Sequence, residues 1–213
     1  MKNSTPSAIQ ARIMAHVPGS KRPPPRARHS APVPPTAHHS PRVRSRKIIT
    51  KDGRPLLLRA IRASDVAALQ RGFNRLTPDE VRSRFLHPIT GLSDEYALHL
   101  CDVDADYAVV LVLIDPEGTP EQEIRAVARA HIDPATLSAE FALIVQKQFS
   151  GQGLGDLLMR RLIAECRKHG AVELWGDVLV DNGAMLELCE FLGFTRHSQA
   201  HDDPGLMRVT IAI

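Results

Sequence analysis

The segment Glu140–Gly155 constrains the fold more than any other part of this chain of 213 residues. It reads EFALIVQKQFSGQGLG, an apolar run that is typical of a strand, followed by glycines at positions 151, 153 and 155. Apolar residues at helical spacing, from Leu154 to Cys166, begin at once. Such a loop brings backbone N–H groups together at the positive end of a helix. The segment therefore predicts a strand–loop–helix unit whose loop binds phosphate or pyrophosphate, with a plain glycine-rich turn as the alternative.

Two better-known phosphate loops do not fit this segment. No Lys-Ser or Lys-Thr pair follows the glycines, as the nucleotide-binding P-loop requires. The spacing of the third glycine differs from that of a dinucleotide fingerprint, and the strands before it are not arranged as a βαβ unit. Instead, Tyr107–Ile114, Glu123–Ile132 and Glu140–Val145 are predicted strands joined by short polar turns, which indicates an antiparallel meander.

The remaining elements complete an α+β pattern. They are a strand at Pro55–Ile61, a helix capped by Ser64, a helix from Thr77 to Phe85 with a capping box, a helix that starts at Ser93, a helix with an apolar stripe from Leu154 to Cys166 and its end at 167–170, a strand at Val172–Val180, a helix from Asn182 to Leu192 and a closing strand at Met207–Ile213. This order predicts a mixed, mostly antiparallel sheet flanked by helices.

Charge divides the chain into two parts. Residues 1–47 contain ten of the 27 basic residues and none of the 24 acidic ones, so they carry +10, whereas residues 48–213 carry −7. Nine of the 16 prolines also lie in residues 1–47. This composition predicts a disordered basic tail before a single folded domain at 48–213. Three interpretations of this tail are possible. It is a solubilising leader (or a mis-assigned start, with Met14 as the first residue), an arm that contacts a polyanion, or a transit peptide.

Several classes of protein are excluded by the sequence. The longest apolar run, Ala108–Ile114, is far shorter than the roughly 20 residues of a membrane span, and no secretory signal is present. Three cysteines without a CxxC pair favour a reducing, cytoplasmic location. The histidines show no metal-binding spacing, and Asp102, Asp104 and Asp106 lie at a predicted turn, so no metal is expected.

The glycine loop resembles the acyl-CoA-binding motif of the GNAT superfamily of N-acetyltransferases, Gln/Arg-x-x-Gly-x-Gly/Ala. Gly153 and Gly155 match its two small positions, and Ser150 stands where Gln or Arg is usual. Gln152 is close enough to replace that side chain. The stretch from Val180 to Phe194 resembles the penultimate helix of the superfamily, and the order of elements over about residues 55–198 is similar.

Two further stretches narrow the resemblance. Arg84–Pro88 and Ala139–Ala142 are similar to the acetyltransferase domain of bacterial protein-lysine acetyltransferases. The resemblance implies that acetyl-CoA is the co-substrate. It also implies that the loop binds pyrophosphate, that backbone groups of Ile144 and Val145 hold the pantetheine amides, and that Asn182 contacts the pantetheine arm. The predicted binding residues are Ile144, Val145, Ser150, Gly151, Gln152, Gly153, Leu154, Gly155 and Asn182.

Glu140 is the predicted catalytic residue. It opens an otherwise apolar strand, where a carboxylate is costly without a partner or a function, and a structural ion pair is the alternative. The resemblance places it where the lysine acetyltransferases have their general base. Cys189 stands four residues before Gly193, where small-amine acetyltransferases often carry a Tyr that protonates the leaving thiolate. Its position on an apolar helix face favours packing. Arg84, His87 and Tyr107 are candidates for the acceptor side.

The predicted function is transfer of an acetyl or other short acyl group from acyl-CoA to a lysine of a protein. A small amine or polyamine as acceptor is the first alternative. The second is a non-catalytic acyl-CoA-binding module whose basic tail serves as a binding arm.

Overall fold

A computed structural model gives the fold of the chain and describes residues 43–87, 89–197 and 203–213. It contains eight strands: β1 Arg46–Ile49, β2 Pro55–Ala60, β3 Ala108–Ile114, β4 Ile124–Asp133, β5 Ser138–Val145, β6 Glu173–Leu179, β7 Thr195–His197 and β8 Leu206–Ala212. They form one sheet in the order β1-β2-β3-β4-β5-β6-β8-β7. Only β5 and β6 are parallel neighbours within this sheet. The predicted mixed, mostly antiparallel sheet is confirmed.

Five α-helices cover the two faces of the sheet. They are α1 Val66–Phe73, α2 Pro78–Phe85, α3 Asp94–Cys101, α4 Leu154–Lys168 and α5 Gly183–Phe191. Residues of β3 alternate between two buried clusters on opposite faces of the sheet. Leu111 and Leu113 belong to the cluster that includes residues of α4 and α5, whereas Val112 and Ile114 belong to the cluster that includes a residue of α1. The sheet is therefore the middle of three layers. Among the described residues, no helix is long and apolar enough to span a membrane.

Two helix starts were predicted correctly from their capping residues. The Thr77 hydroxyl accepts a hydrogen bond from the Glu80 N–H at 3.3 Å, and the Glu80 carboxylate accepts one from the Thr77 N–H at 2.7 Å. Ser93 caps α3 by accepting a bond from the Tyr96 N–H at 3.2 Å. These reciprocal bonds satisfy amide groups that a helix terminus otherwise leaves without partners.

The prediction that Ser64 caps the first helix is wrong. Ser64 lies inside a 3₁₀ turn, Ala63–Asp65, that precedes α1. The Asp65 carboxylate organises this turn, because it accepts bonds from the Arg62 N–H at 2.8 Å and from the buried Arg59 guanidinium at 2.6 and 2.8 Å. Asp65, through these bonds, thus organises the start of α1 in place of Ser64.

Strands β1 and β7 were absent from the predicted order. Both are short and lie at opposite edges of the sheet, where a strand pairs on one side only and needs no apolar run. Of the predicted tail, residues 1–42 lie outside the described residues, whereas Arg46 and Lys47 belong to β1 and Val43 packs against the core. Pro88, part of one resembling stretch, is also outside the described residues.

Candidate active site

The parallel strands β5 and β6 separate at the centre of the sheet. Their pairing covers only three residues and ends at Glu140 and Trp175. At the next position the Phe141 ring lies against Gly176, where a Cβ atom would be 2.8 Å from the ring. Beyond this point β5 continues to pair with β4 alone, through Val145. A gap therefore opens between β5 and β6.

The hydrogen-bond alternation of β5 decides which backbone groups face this gap. The N–H of Gln146 bonds to the carbonyl of Arg125 at 3.0 Å, so even-numbered residues of β5 direct their backbone groups to β4. Ile144 therefore pairs with Val127, and its backbone groups face β4. The prediction that they face the gap does not agree with this register. Val145 and Leu143 direct theirs into the gap. Leu143 was missed because the alternation depends on the strand register, which the sequence does not reveal.

The glycine loop lies at the end of β5 and leads into α4. Gly151 and Gly153 adopt positive φ angles of 74° and 76°, which side chains disfavour. Among the described residues, no side chain caps the N-terminus of α4, so its first amide groups are available for an anion. Leu154 is buried and contributes only its backbone, and a Cβ at Gly155 would be 3.1 Å from Leu188. The loop geometry fits a pyrophosphate.

The turn between β1 and β2 packs over this loop. The ammonium group of Lys51 lies 3.4 Å from the carbonyl oxygen of Gly151. The backbone N–H of Asp52 donates to the Gln152 side-chain oxygen at 3.2 Å. Lys51 therefore adds a positive charge to the predicted phosphate site, and Gln152 is oriented by the turn. Sequence reasoning missed Lys51 because it is 100 residues from the loop; Ser150 is exposed at the start of the loop.

Asn182 lies at the start of α5, on the β6 side of the gap. Its side-chain oxygen accepts a bond from the Met185 N–H at 3.2 Å and caps the helix. The neighbouring Asp181 pairs with Arg82 of α2 at 2.8 Å. The side-chain NH₂ of Asn182 is a donor that suits a pantetheine carbonyl.

Glu140 lies at the point where the two strands separate. Its neighbours across the sheet are His131 of β4 and Trp175 of β6. Because Ala139 and Phe141 point into the core under α4, the half-buried Glu140 side chain lies on the opposite face, with α1–α3. Burial lowers the pKa of Arg84, and the negative charge of Glu140 offsets a part of this shift. The same charge makes a smaller contribution to the raised pKa of Arg208.

Arg208 is held close to Glu140 by two contacts. It makes a bidentate ion pair with Asp177, at 2.8 and 2.9 Å, and stacks over Trp175 at 4.2 Å from the ring centre. The hydrogen bonds to Asp177 raise the pKa of Arg208. The face of the sheet near Glu140 therefore carries several fixed charges.

The other acceptor-side candidates are placed differently. Arg84 lines the cleft between the helices and the sheet. His87 packs edge-on against Phe85, with Nδ1 2.6 Å from the Phe85 carbonyl oxygen. Tyr107 is 45% exposed at the turn before β3. The structure thus brings Arg84, but neither of the other two, to the cleft.

Cys189 is completely buried in the core beneath α5. Burial raises the pKa of its thiol to about 12. Such a thiol is a poor proton donor at neutral pH, so packing explains this residue. The described residues contain no cluster of three or more metal-ligating side chains.

Comparison with known proteins identifies the class of enzyme. The model of the acetyltransferase (GNAT) family matches residues 73–194, a span that includes Glu140, the glycine loop and Asn182. The chain therefore belongs to the GNAT acetyltransferase family, as the resemblance predicted. It is an N-acetyltransferase, and acetyl-CoA is its co-substrate.

Individual relatives agree with this assignment. The chain is similar to an acetyltransferase of Pseudomonas aeruginosa, with 29% identity over 151 residues that make up 71% of this chain and 81% of that protein. It is also similar to a ribosomal protein bS18–alanine N-acetyltransferase of Salmonella typhimurium, with 33% identity over 97 residues, 41% of this chain and 64% of that protein. The GNAT domain of S. lividans PAT has the same fold, with a TM-score of 0.69 at 22% identity, covering 79% of this chain and 97% of that domain.

Proposed function

We propose that this enzyme transfers an acetyl group from acetyl-CoA to the side-chain amine of a protein lysine, with Glu140 as general base. The observation that carries the proposal is the position of Glu140 at the last paired residue before β5 and β6 separate. A carboxylate there lies beside the gap whose edge is formed by the backbone of Leu143 and Val145.

The groups that hold acetyl-CoA form a continuous path in this proposal. Backbone groups of Leu143 and Val145 bind the pantetheine amides from one side of the gap, and Asn182 binds from the other. The amides of the loop residues bind the pyrophosphate: Ser150, Gly151, Gln152, Gly153, Leu154 and Gly155. Lys51 adds a full positive charge beside the pyrophosphate, whereas the N–H groups carry only partial charges.

Glu140 solves the main chemical difficulty of the reaction. An unperturbed lysine has a pKa near 10.4, so at neutral pH nearly all of it is protonated and cannot attack. Glu140 accepts that proton, directly or through a water, as the nitrogen–carbon bond forms and the carbon–sulfur bond breaks. The acetyl thioester of the co-substrate supplies the acyl group.

No protein acid is required for the leaving thiolate. A thiol with a pKa around 8.5 is an adequate leaving group as the anion. Cys189 is buried and takes no part in the step. We place the reaction in the cytoplasm, since all three cysteines are free thiols, in keeping with a reducing compartment.

Three classes of acceptor are candidates for this site. A protein lysine is supported by the likeness of the stretches at Arg84 and Glu140 to the lysine acetyltransferases. The relative that acts on ribosomal protein bS18 favours the N-terminal amine of a protein as the second candidate. Small amines remain the third. A terminal α-amine has a pKa near 7.7–8.0 and depends less on a base than a lysine does.

One experiment separates the three acceptors. The full chain is incubated with acetyl-CoA and a cell extract, and acetylated positions are mapped by mass spectrometry beside a sample that contains the Glu140→Gln variant. Lysine acetylation that requires Glu140 supports the proposal. Acetylation confined to protein N-termini or to small amines would replace the acceptor. Binding of acetyl-CoA without any acceptor being modified would favour a non-catalytic module.

A further inference from the structure

A narrow cleft, with about 50 Å³ of space for water-sized molecules, lies between the helices α1–α3 and the sheet. Most of its wall is apolar, with side chains such as Leu69, Phe73 and Ile144. Three arginines line the same cleft, of which Arg84 and Arg129 have no carboxylate partner among the described residues. A pair of cations on an apolar wall is the feature that needs an explanation.

The charge of Glu140 acts on Arg84, but no carboxylate of the described residues forms an ion pair with either guanidinium. Arg129 donates one bond to the carbonyl oxygen of Leu100, and Arg84 stacks on Phe85 with its Cζ 4.9 Å from the ring centre. Within the described ranges, neither forms an ion pair with a carboxylate. Burial, and then the charge of Arg84, lowers the pKa of Arg129 to about 10. Two like charges thus lie close to each other at half-buried positions.

This arrangement differs from that of two other arginines that are buried or half-buried, Arg59 and Arg125. Arg59 pairs with Asp65 at 2.6 Å, and Arg125 pairs with Asp115 at 2.8 Å. Desolvated charges are costly unless they are paired, and the forked donors of arginine match a carboxylate geometrically. An anionic substrate group would supply at the cleft what an Asp supplies to those two arginines.

The cleft lies beside the proposed reacting atoms. Arg129 is the cross-strand neighbour of Ala142, which is two residues from Glu140 on the same face of β5. Glu140 is also close enough to influence the pKa of Arg84. A substrate group in the cleft is therefore a short way from the thioester that the β5–β6 gap would hold.

We propose that Arg84 and Arg129 form a carboxylate-binding subsite for a small acidic substrate group. The carboxylate belongs either to the acyl chain of a dicarboxylic acyl-CoA or to an acceptor that carries both an amine and a carboxylate. In each case the intervening methylene groups contact the apolar wall. This inference rests on the proposed function, because it assumes that the thioester lies beside Glu140.

Two pairs of substrates of equal length test the subsite and distinguish its sources. In the donor arm, succinyl-CoA is compared with butyryl-CoA, using a neutral lysine peptide as acceptor. In the acceptor arm, 6-aminohexanoate is compared with its amide, using acetyl-CoA. The expected result is a preference for the carboxylate of about 10- to 100-fold in kcat/KM in one arm, the range for hydrogen bonds to a charged group.

The variants decide whether the arginines cause the preference. Arg84→Gln is expected to bring the ratio close to one. If that protein does not fold, Arg84→Lys keeps the charge and loses the fork, and the ratio should fall several-fold. Arg167→Gln removes a charge from an exposed position at the far end of α4 and should leave the ratio as it is.

Two results would overturn the subsite. The first is a ratio near one in both arms of the wild-type enzyme. The second is an unchanged ratio in Arg84→Gln or, if that protein does not fold, in the double variant Arg84→Lys/Arg129→Gln. Failure of the proposed function looks different. It would be the absence of turnover with acetyl-CoA and every acceptor. The melting temperatures with succinyl-CoA and butyryl-CoA then test the subsite alone, since only an anion site gives succinyl-CoA the larger shift.

Discussion

Replacing Gly176 with Ala tests how the central gap of the sheet is maintained. A Cβ atom at this position would lie 2.8, 2.9 and 3.1 Å from three carbon atoms of the Phe141 ring. That ring cannot move freely, because it packs edge-on against Phe194 with ring centres 5.4 Å apart. The added methyl group therefore forces either the ring or β6 to shift.

The magnitude follows from the overlap. Overpacking a core by a methyl group costs about 1–3 kcal/mol, and the stiffer unfolded chain of an alanine variant returns about 0.4–1 kcal/mol. The expected loss is about 1–2 kcal/mol of unfolding free energy. For a domain of this size that corresponds to about 2–8 °C in Tm. Affinity for acetyl-CoA should fall as well, because Phe141 borders the gap.

Urea unfolding and a titration with acetyl-CoA measure both effects. Gly91→Ala is the matched control, since a Cβ there meets nothing within 4 Å and should leave both quantities unchanged. Phe141→Leu in the Gly176→Ala background should cost less than the two single changes added together, because the smaller side chain removes the overlap. Additive costs, or a Gly176→Ala protein as stable as the control, would refute this account of the gap.

Three further predictions concern acetyl-CoA and the basic segment. Gly153→Asp should abolish the stabilisation by acetyl-CoA, which is about 2.7 kcal/mol at 100 times Kd. Gly118→Asp, in a distant turn, should retain it. A normal thermal shift in Gly153→Asp would mean that acetyl-CoA binds at another site. Lys51→Gln should weaken binding about 3- to 10-fold, less at high salt, and a salt-independent loss would contradict a phosphate contact. A shortened chain that begins at Val43 should keep its turnover on a small amine and lose salt-sensitive binding to polyanions in a filter assay; lost turnover would mean that residues 1–42 support the domain.

The sequence predicted those parts of the fold that depend on local patterns. The capping box at Thr77 and the meander up to Val145 depend on residues that are close together in the chain. The edge strands β1 and β7 are too short and polar to carry such a pattern. The buried Arg59–Asp65 pair organises the turn where a cap at Ser64 was predicted, and a capping pattern does not reveal such a pair.

The same distinction applies to the candidate site. Glu140, Asn182 and the glycine loop were predicted as site residues because a motif names them. Lys51 was not, since its contact with Gly151 arises only when the β1–β2 turn folds over the loop. The choice of Leu143 over Ile144 depends on strand register in the same way.

The most direct test of the proposed mechanism is the pH–rate profile of Glu140→Gln beside the wild-type enzyme, with a lysine peptide as acceptor. The variant keeps the size of the side chain and removes the proton acceptor, so turnover at pH 7 should fall on the order of 10²–10⁴-fold. Affinity for acetyl-CoA and the melting temperature should hardly change. Glu117→Gln, in an exposed turn, should behave as wild type.

Alkaline pH separates a base from a structural residue. As pH rises towards the lysine pKa near 10.4, more of the acceptor is already neutral, and the variant should recover part of its rate. A structural Glu140 predicts lower stability, weaker acetyl-CoA binding and no recovery. A folded Glu140→Gln enzyme with near-normal turnover at pH 7 would contradict the assignment of Glu140 as the base.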